Sequence, residues 1–239
     1  MIRAVALATA TALLAACAPG NDLGTVTELR VDVDTPALRA QKAAARVEPC
    51  VQPTAPKRTA DGSLPDVTLP CLGGGEDVDL ARLRGPMVIT FWASWCGPCR
   101  RELPIFQRFA KRYAGRVSVL GIDYKDVRPA AALDLISRSK VTFPLLADAP
   151  ADLEAAGMRI PLLPTLAFLD ADGELTTWSE DDDAPRSRAM EIESLAELEA
   201  LVKEHLGDDV LERHPAPPPR TPAPTASPAS AATSSASSR

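Results

Sequence analysis

The sequence predicts an α/β fold with a mixed central sheet, and three observations predict it. Two apolar runs, PMVITFW (86–92) and RVSVLGIDY (116–124), have the β-branched and aromatic content of strands buried on both faces. Each is followed by apolar residues at helical spacing, Leu103, Phe106, Phe109, Ala110 and Tyr113 in one case, Ala132, Leu135 and Ile136 in the other. Further on, PTLAFLDADG followed by ELTTW reads as an antiparallel hairpin around an Asp-Gly turn. Parallel pairs need helical crossovers, and the hairpin adds an antiparallel edge, so the sheet is expected to be mixed.

Taken in order, VTLPCL (67–72) and EDVDL (76–80) flank Gly73-Gly74-Gly75, which suggests a small N-terminal hairpin. The run PMVITFW leads into WCGPC, where a helix begins with Pro98 at a position whose N–H has no helical partner. After RVSVLGIDY come the helix PAAALDLISRSK, the short extended FPLLAD and the brief helix DLEAAG. The last element is EIESLAELEALVKEHLG, with Ile192, Leu195, Leu198, Leu201, Val202 and Leu206 as an apolar stripe and Gly207 as the stop signal. The folded domain is therefore expected over residues 63–207.

The remainder of the 239 residues reads differently. Residues 1–16 carry one basic residue, Arg3, and a short Ala-rich apolar stretch, the pattern of a secretory signal peptide. The stretch is too short to span a bilayer comfortably. Its ending, Leu14-Ala15-Ala16-Cys17, resembles the lipobox of bacterial lipoproteins. That likeness implies that Cys17 is lipidated and becomes the first residue, anchored at the outer face of the cytoplasmic membrane; the other reading is a plain signal with Cys17 incidental. Residues 17–62 read as a flexible tether with a short helix around 37–46, and 208–239 as a disordered Pro/Ala/Ser-rich tail. A net charge of −6 gives neither the basic face of a nucleic-acid binder nor a polybasic membrane patch, so no nucleic-acid partner is expected.

Setting Cys17 aside leaves Cys50, Cys71, Cys96 and Cys99, an even number that suggests two pairs in an oxidising compartment. Cys96 stands where a buried strand becomes a helix. Free backbone N–H groups and the helix dipole favour a thiolate there, which can attack a disulfide at neutral pH. Cys99, one turn on, is positioned to resolve the mixed disulfide. The loop between these cysteines is too short for their bond to be a useful staple. Cys50 and Cys71 enclose about twenty residues, for which the chain-entropy model gives about 3 kcal/mol, so they read as a structural disulfide. A regulatory or shuttle pair is the alternative.

In these residues the chain resembles the thioredoxin fold and, within it, the extracytoplasmic TlpA/ResA-like thiol–disulfide oxidoreductases. FWASWCGPC at 91–99, Pro104, PTLAFLDADG at 164–173 and the front hairpin carry the likeness, which covers roughly residues 64–207. It implies a thioredoxin-like fold with an added N-terminal β-hairpin, Cys96 as nucleophile and Cys99 as resolving thiol. It also implies that Pro164 follows a cis bond facing the cysteine pair, where neighbouring backbone pairs with substrate. Pro161 in the same IPLLP segment is the alternative. Glu102 matches an acidic residue that ResA-like reductases use near the pair, and an ordinary exposed helix charge is the other reading. The chain departs from thioredoxin at Thr90, which stands where that family has a buried Asp. Proton transfer from Cys99 must then use water, Glu102 or the substrate.

A zinc site needs a second close pair or suitably spaced histidines, and the two histidines, His205 and His214, stand in or beyond the last helix. A peroxiredoxin needs a different local motif around its cysteine. No metal and no cofactor are expected. The acidic run 180–183 reads as a solvated loop, Trp92 and Trp178 as packing, and Trp95 as a reporter beside the site. The implied activity is dithiol–disulfide exchange with exported proteins, in the reducing direction, with electrons from a membrane thiol transporter. Apocytochrome c is one client class. A disulfide-introducing oxidase and a non-catalytic binding module are the alternatives.

Overall fold

A computed structural model describes residues 31–50, 52–176 and 191–212. The signal segment 1–16, Cys17, Trp178, the acidic run 180–183, His214 and the tail from 213 lie outside the described residues. Four strands form the central sheet: β3 (Met87–Trp92), β4 (Ser118–Tyr124), β5 (Leu145–Asp148) and β6 (Thr165–Leu169), in the order β5-β4-β3-β6. β3 and β4 run parallel, as do β4 and β5, while β6 is antiparallel to β3. The sheet is therefore mixed, as the sequence predicts. The front hairpin is also present, as β1 (Thr68–Leu69) against β2 (Val78–Asp79), and Cys71 bridges on to Leu146 of β5.

Both faces of the sheet are covered, which is why its strands read as continuous apolar runs. Alternation along β3 sends Val88 and Trp92 to one face and Ile89 and Phe91 to the other. Over the first face lie α2 (Gly97–Arg112), α3 (Pro129–Ser139) and α5 (Leu195–Leu206), with Phe106, Phe109, Leu133, Ile136, Leu198 and Val202 inward. Against the second pack the front hairpin and α4 (Asp152–Ala155), through Leu69, Val78 and Leu153.

The sequence-predicted hairpin after β6 is reduced. The turn at Gly173 forms, but its return strand is an isolated bridge, Leu169 to Leu175, among the described residues. The described residues before Ser63 also differ from a flexible tether. Thr35 caps α1 (Pro36–Ala45) by accepting the Leu38 N–H at 3.2 Å, and Pro36 opens the helix. Val33, Leu38 and Val47 are buried in the same core as α3. The apolar residues are too sparse to signal this in sequence, yet they suffice to dock one helix turn after turn. At the other end Val210 and Leu211 are buried, so the packed residues continue past Gly207.

Candidate active site

The site is built at the carboxyl ends of β3 and β4. β3 ends at Trp92, the chain turns through Ala93–Cys96, and α2 starts at Gly97. Cys96 is the N-cap of α2: its Sγ accepts the Cys99 N–H at 3.2 Å, satisfying one of the helix's unpaired donors. The two cysteines are joined as a disulfide with Cα atoms 5.4 Å apart. Trp95, immediately before them, is 50% exposed, whereas Trp92 is fully buried.

β6 supplies the opposite wall. Because Phe91 pairs with Thr165, Pro164 stands at the level of Trp92, at the end of the sheet where the cysteine turn leaves β3. The Leu163–Pro164 bond is cis, so the cis proline falls at Pro164 rather than Pro161; Gly85–Pro86 is also cis. Thr165 is buried, and its hydroxyl donates to the Leu162 carbonyl at 2.7 Å.

Glu102 lies one helical turn beyond Cys99 on α2. It is 1% exposed, which excludes the reading as a solvated helix charge. One carboxylate oxygen accepts the Ile192 N–H, and the other has no hydrogen-bond partner among the described residues. Burial pushes its pKa up to about 8, against the lowering effect of that N–H. The group is therefore able to hold or release a proton near neutral pH. Thr90 is buried on the face of β3 shared by Val88 and Trp92.

Sequence reasoning missed the acids on β4 and beyond it. Asp126 is buried; one oxygen accepts the Ser94 N–H at 2.7 Å and the other the Arg128 N–H at 3.0 Å. From α2, Arg100 donates to the Ser94 carbonyl at 3.1 and 2.7 Å. Ser94, two residues before Cys96, is thus held from both sides. Asp123, opposite Trp92 in the β3–β4 register, is 1% exposed with both oxygens unpartnered among the described residues. Burial, and secondarily the charge of Asp126, pushes its carboxyl well above the usual range. The available signal was an acid pair at the end of a buried strand, beside the cysteine turn.

The second cysteine pair, Cys50–Cys71, is also a disulfide, with Cα atoms 5.9 Å apart. It ties the segment after α1 to the front hairpin, away from the WCGPC turn. No group of three or more His, Cys, Asp or Glu side chains placed to hold a metal occurs among the described residues.

Several known proteins are similar to this chain. Sporulation thiol-disulfide oxidoreductase A of Bacillus subtilis is 29% identical over 104 residues, covering 42% of this chain and 62% of that protein. Thioredoxin-like protein YneN of the same organism is 32% identical over 117 residues, covering 46% and 64%. The chain thus spans less than two thirds of the length of these relatives. Among solved structures, a secreted Mycobacterium tuberculosis disulfide oxidoreductase, described as homologous to E. coli DsbE, is 31% identical with a TM-score of 0.47. That match covers 61% of this chain and 99% of that one. The strand order, the cysteine turn after β3 and the proline before β6 together make a thioredoxin-like fold. The Redoxin family model matches residues 59–195, more than half of the chain, and the chain belongs to the Redoxin family.

Proposed function

We propose that this chain is an extracytoplasmic protein thiol–disulfide oxidoreductase that works mainly as a reductase. The observation that carries the reading is the Cys96–Cys99 disulfide at the N-terminus of α2, beside an exposed Trp95 and level with Pro164. In the reduced protein, Cys96 Sγ attacks a substrate disulfide, forming a mixed disulfide and releasing one substrate thiolate. Cys99 Sγ then attacks Cys96 Sγ, which frees the second substrate thiol and leaves the Cys96–Cys99 disulfide. Two electrons pass to the substrate, and a membrane thiol transporter restores the dithiol. Glu102 is suited to take the Cys99 proton, since its second oxygen is unpartnered among the described residues and its pKa lies near 8. Pro164 helps present the backbone on which the client chain is held.

The names of the relatives support exchange with protein disulfides, and the residue-level likeness to TlpA/ResA-like proteins supports the reducing direction. Exported proteins, apocytochrome c among them, are the client class. The lipobox-like ending at Cys17 supports anchoring at the outer face of the cytoplasmic membrane. Among the described residues no helix is long and apolar enough to cross a membrane.

The test is the reduction potential of the Cys96–Cys99 pair, followed through Trp95 fluorescence in dithiothreitol and glutathione buffers. A value near or below about −270 mV, that of thioredoxin, is expected; one near about −120 mV, that of the oxidant DsbA, overturns the direction. Cys96→Ser should abolish exchange, and Cys99→Ser should accumulate client mixed disulfides on Cys96. A Cys96→Ser chain that retains full function in vivo would mean a non-catalytic binding module.

A further inference from the structure

The second disulfide has a neighbour that a plain staple does not need. Lys42, on α1, is 7% exposed; its Nζ donates to Cys71 Sγ at 2.8 Å and to the Gly74 carbonyl at 2.7 Å. The carboxylate whose charge reaches it, Asp34, is engaged by Arg39 at 2.6 Å. A buried ammonium requires strong acceptors, and a disulfide sulfur is a weak one. A thiolate at the same position is a strong one. The surroundings of Cys71 are therefore better matched to its reduced, ionised form than to the disulfide they now hold. Glycines make this approach feasible: a Cβ on Gly73 would stand 2.8 Å from the Lys42 Cβ, and one on Gly75 3.2 Å from Cys71 Sγ. The partner residue lies against a cavity on the other side, with its Sγ 3.2 Å from the Leu145 carbonyl oxygen. Cys50 is 6% exposed and belongs to the wall of a cavity of about 340 Å³, together with Glu48, Met87, Phe143 and Pro144.

We propose that Cys50–Cys71 is a second thiol–disulfide exchange site, attacked at Cys50 Sγ and opened with Cys71 leaving as a thiolate onto the Lys42 ammonium. The co-reactant is a dithiol. Its first thiolate bonds to Cys50 Sγ as the Cys50–Cys71 bond breaks and Cys71 departs with the electron pair. Its second thiol, on losing its proton, attacks the first, releasing Cys50 as a thiolate that takes up that proton, and the co-reactant leaves oxidised by two electrons. This inference does not depend on the role given to Cys96 and Cys99.

The experiment uses the full chain carrying Cys17→Ser, Cys96→Ser and Cys99→Ser, so that one disulfide remains. Under native conditions, millimolar dithiothreitol should open it, and reduced glutathione should leave its adduct on Cys50, located by peptide mass mapping. Lys42→Gln should slow opening by about tenfold or more, and Lys42→Arg should retain most of the rate. Opening that requires denaturant, an adduct on Cys71, or an unchanged rate in Lys42→Gln overturns the proposal. If Lys42→Gln does not fold, the position of the glutathione adduct in the Lys42 protein still decides.

Discussion

Glu102 carries a proton into a buried position, and that has a measurable cost. Its folded pKa of about 8 lies above the ordinary 4.5, so the folded state binds the extra proton across that interval. The resulting stability is fully present below pH 4.5 and is lost as pH rises toward 8, by up to about 1.4 kcal/mol per pH unit. Denaturant titrations across this window should show the slope, and Glu102→Gln should flatten it. A slope unchanged in the variant would mean that Glu102 does not titrate as described. Asp126 has a structural role instead, since both of its oxygens accept backbone N–H groups. Asp126→Ala leaves the Ser94 and Arg128 N–H groups unpaired and should cost about 1–3 kcal/mol, with slower exchange at Cys96. The two cysteines and Pro164 were legible because motif and spacing carry them. Asp123 and Asp126 were not, because their importance comes from a strand neighbour roughly thirty residues distant in sequence.

Among the elements, the strands and main helices follow their sequence periods closely, since each packs one or two apolar faces against the same sheet. α1 was legible as a short helix around 37–46, but its docking was not. Its stretch is rich in Ala and charge, and its docking depends on a few side chains, Leu38 chief among them, meeting α3 and the front hairpin. Leu38→Ala should therefore destabilise the protein by about 2–4 kcal/mol, whereas the same change in a free tether would cost nothing measurable. Thermal denaturation distinguishes the two. The short return after β6 shows the converse: an Asp-Gly turn and alternating residues suggested a strand, but a single bridge, Leu169 to Leu175, with the Asp170 N–H donating to the Glu174 carbonyl and the Thr176 N–H to the Phe168 carbonyl, takes the place of a ladder. At Gly85, the Cβ of any other residue would stand 1.8 Å from the Leu169 carbonyl oxygen, so the turn into β3 leaves no room for a side chain. Gly85→Ala should lower stability by at least about 1–3 kcal/mol.

On the scale of the whole molecule, the fold places the Cys96–Cys99 disulfide at the rim of the sheet and the Cys50–Cys71 disulfide between the segment after α1 and the front hairpin. Replacing both Cys50 and Cys71 by Ala should cost about 3 kcal/mol by the chain-entropy argument, read as a lower midpoint in denaturant under oxidising conditions. The turn before Cys96 is held by one buried group, Asp126, and one exposed group, Arg100. Ser94 is fixed at its N–H by Asp126 and at its carbonyl by Arg100. Trp95, Val127 and Leu162 are the large apolar side chains left exposed among the described residues, and under the proposed function they are the ones open to a client. Asp126, which holds the Ser94 N–H from inside, is thus distinct from the apolar side chains that face outward. Under the proposed function, client preference would then be open to redesign at Trp95, Val127 and Leu162 while Asp126 keeps the cysteine turn where it is.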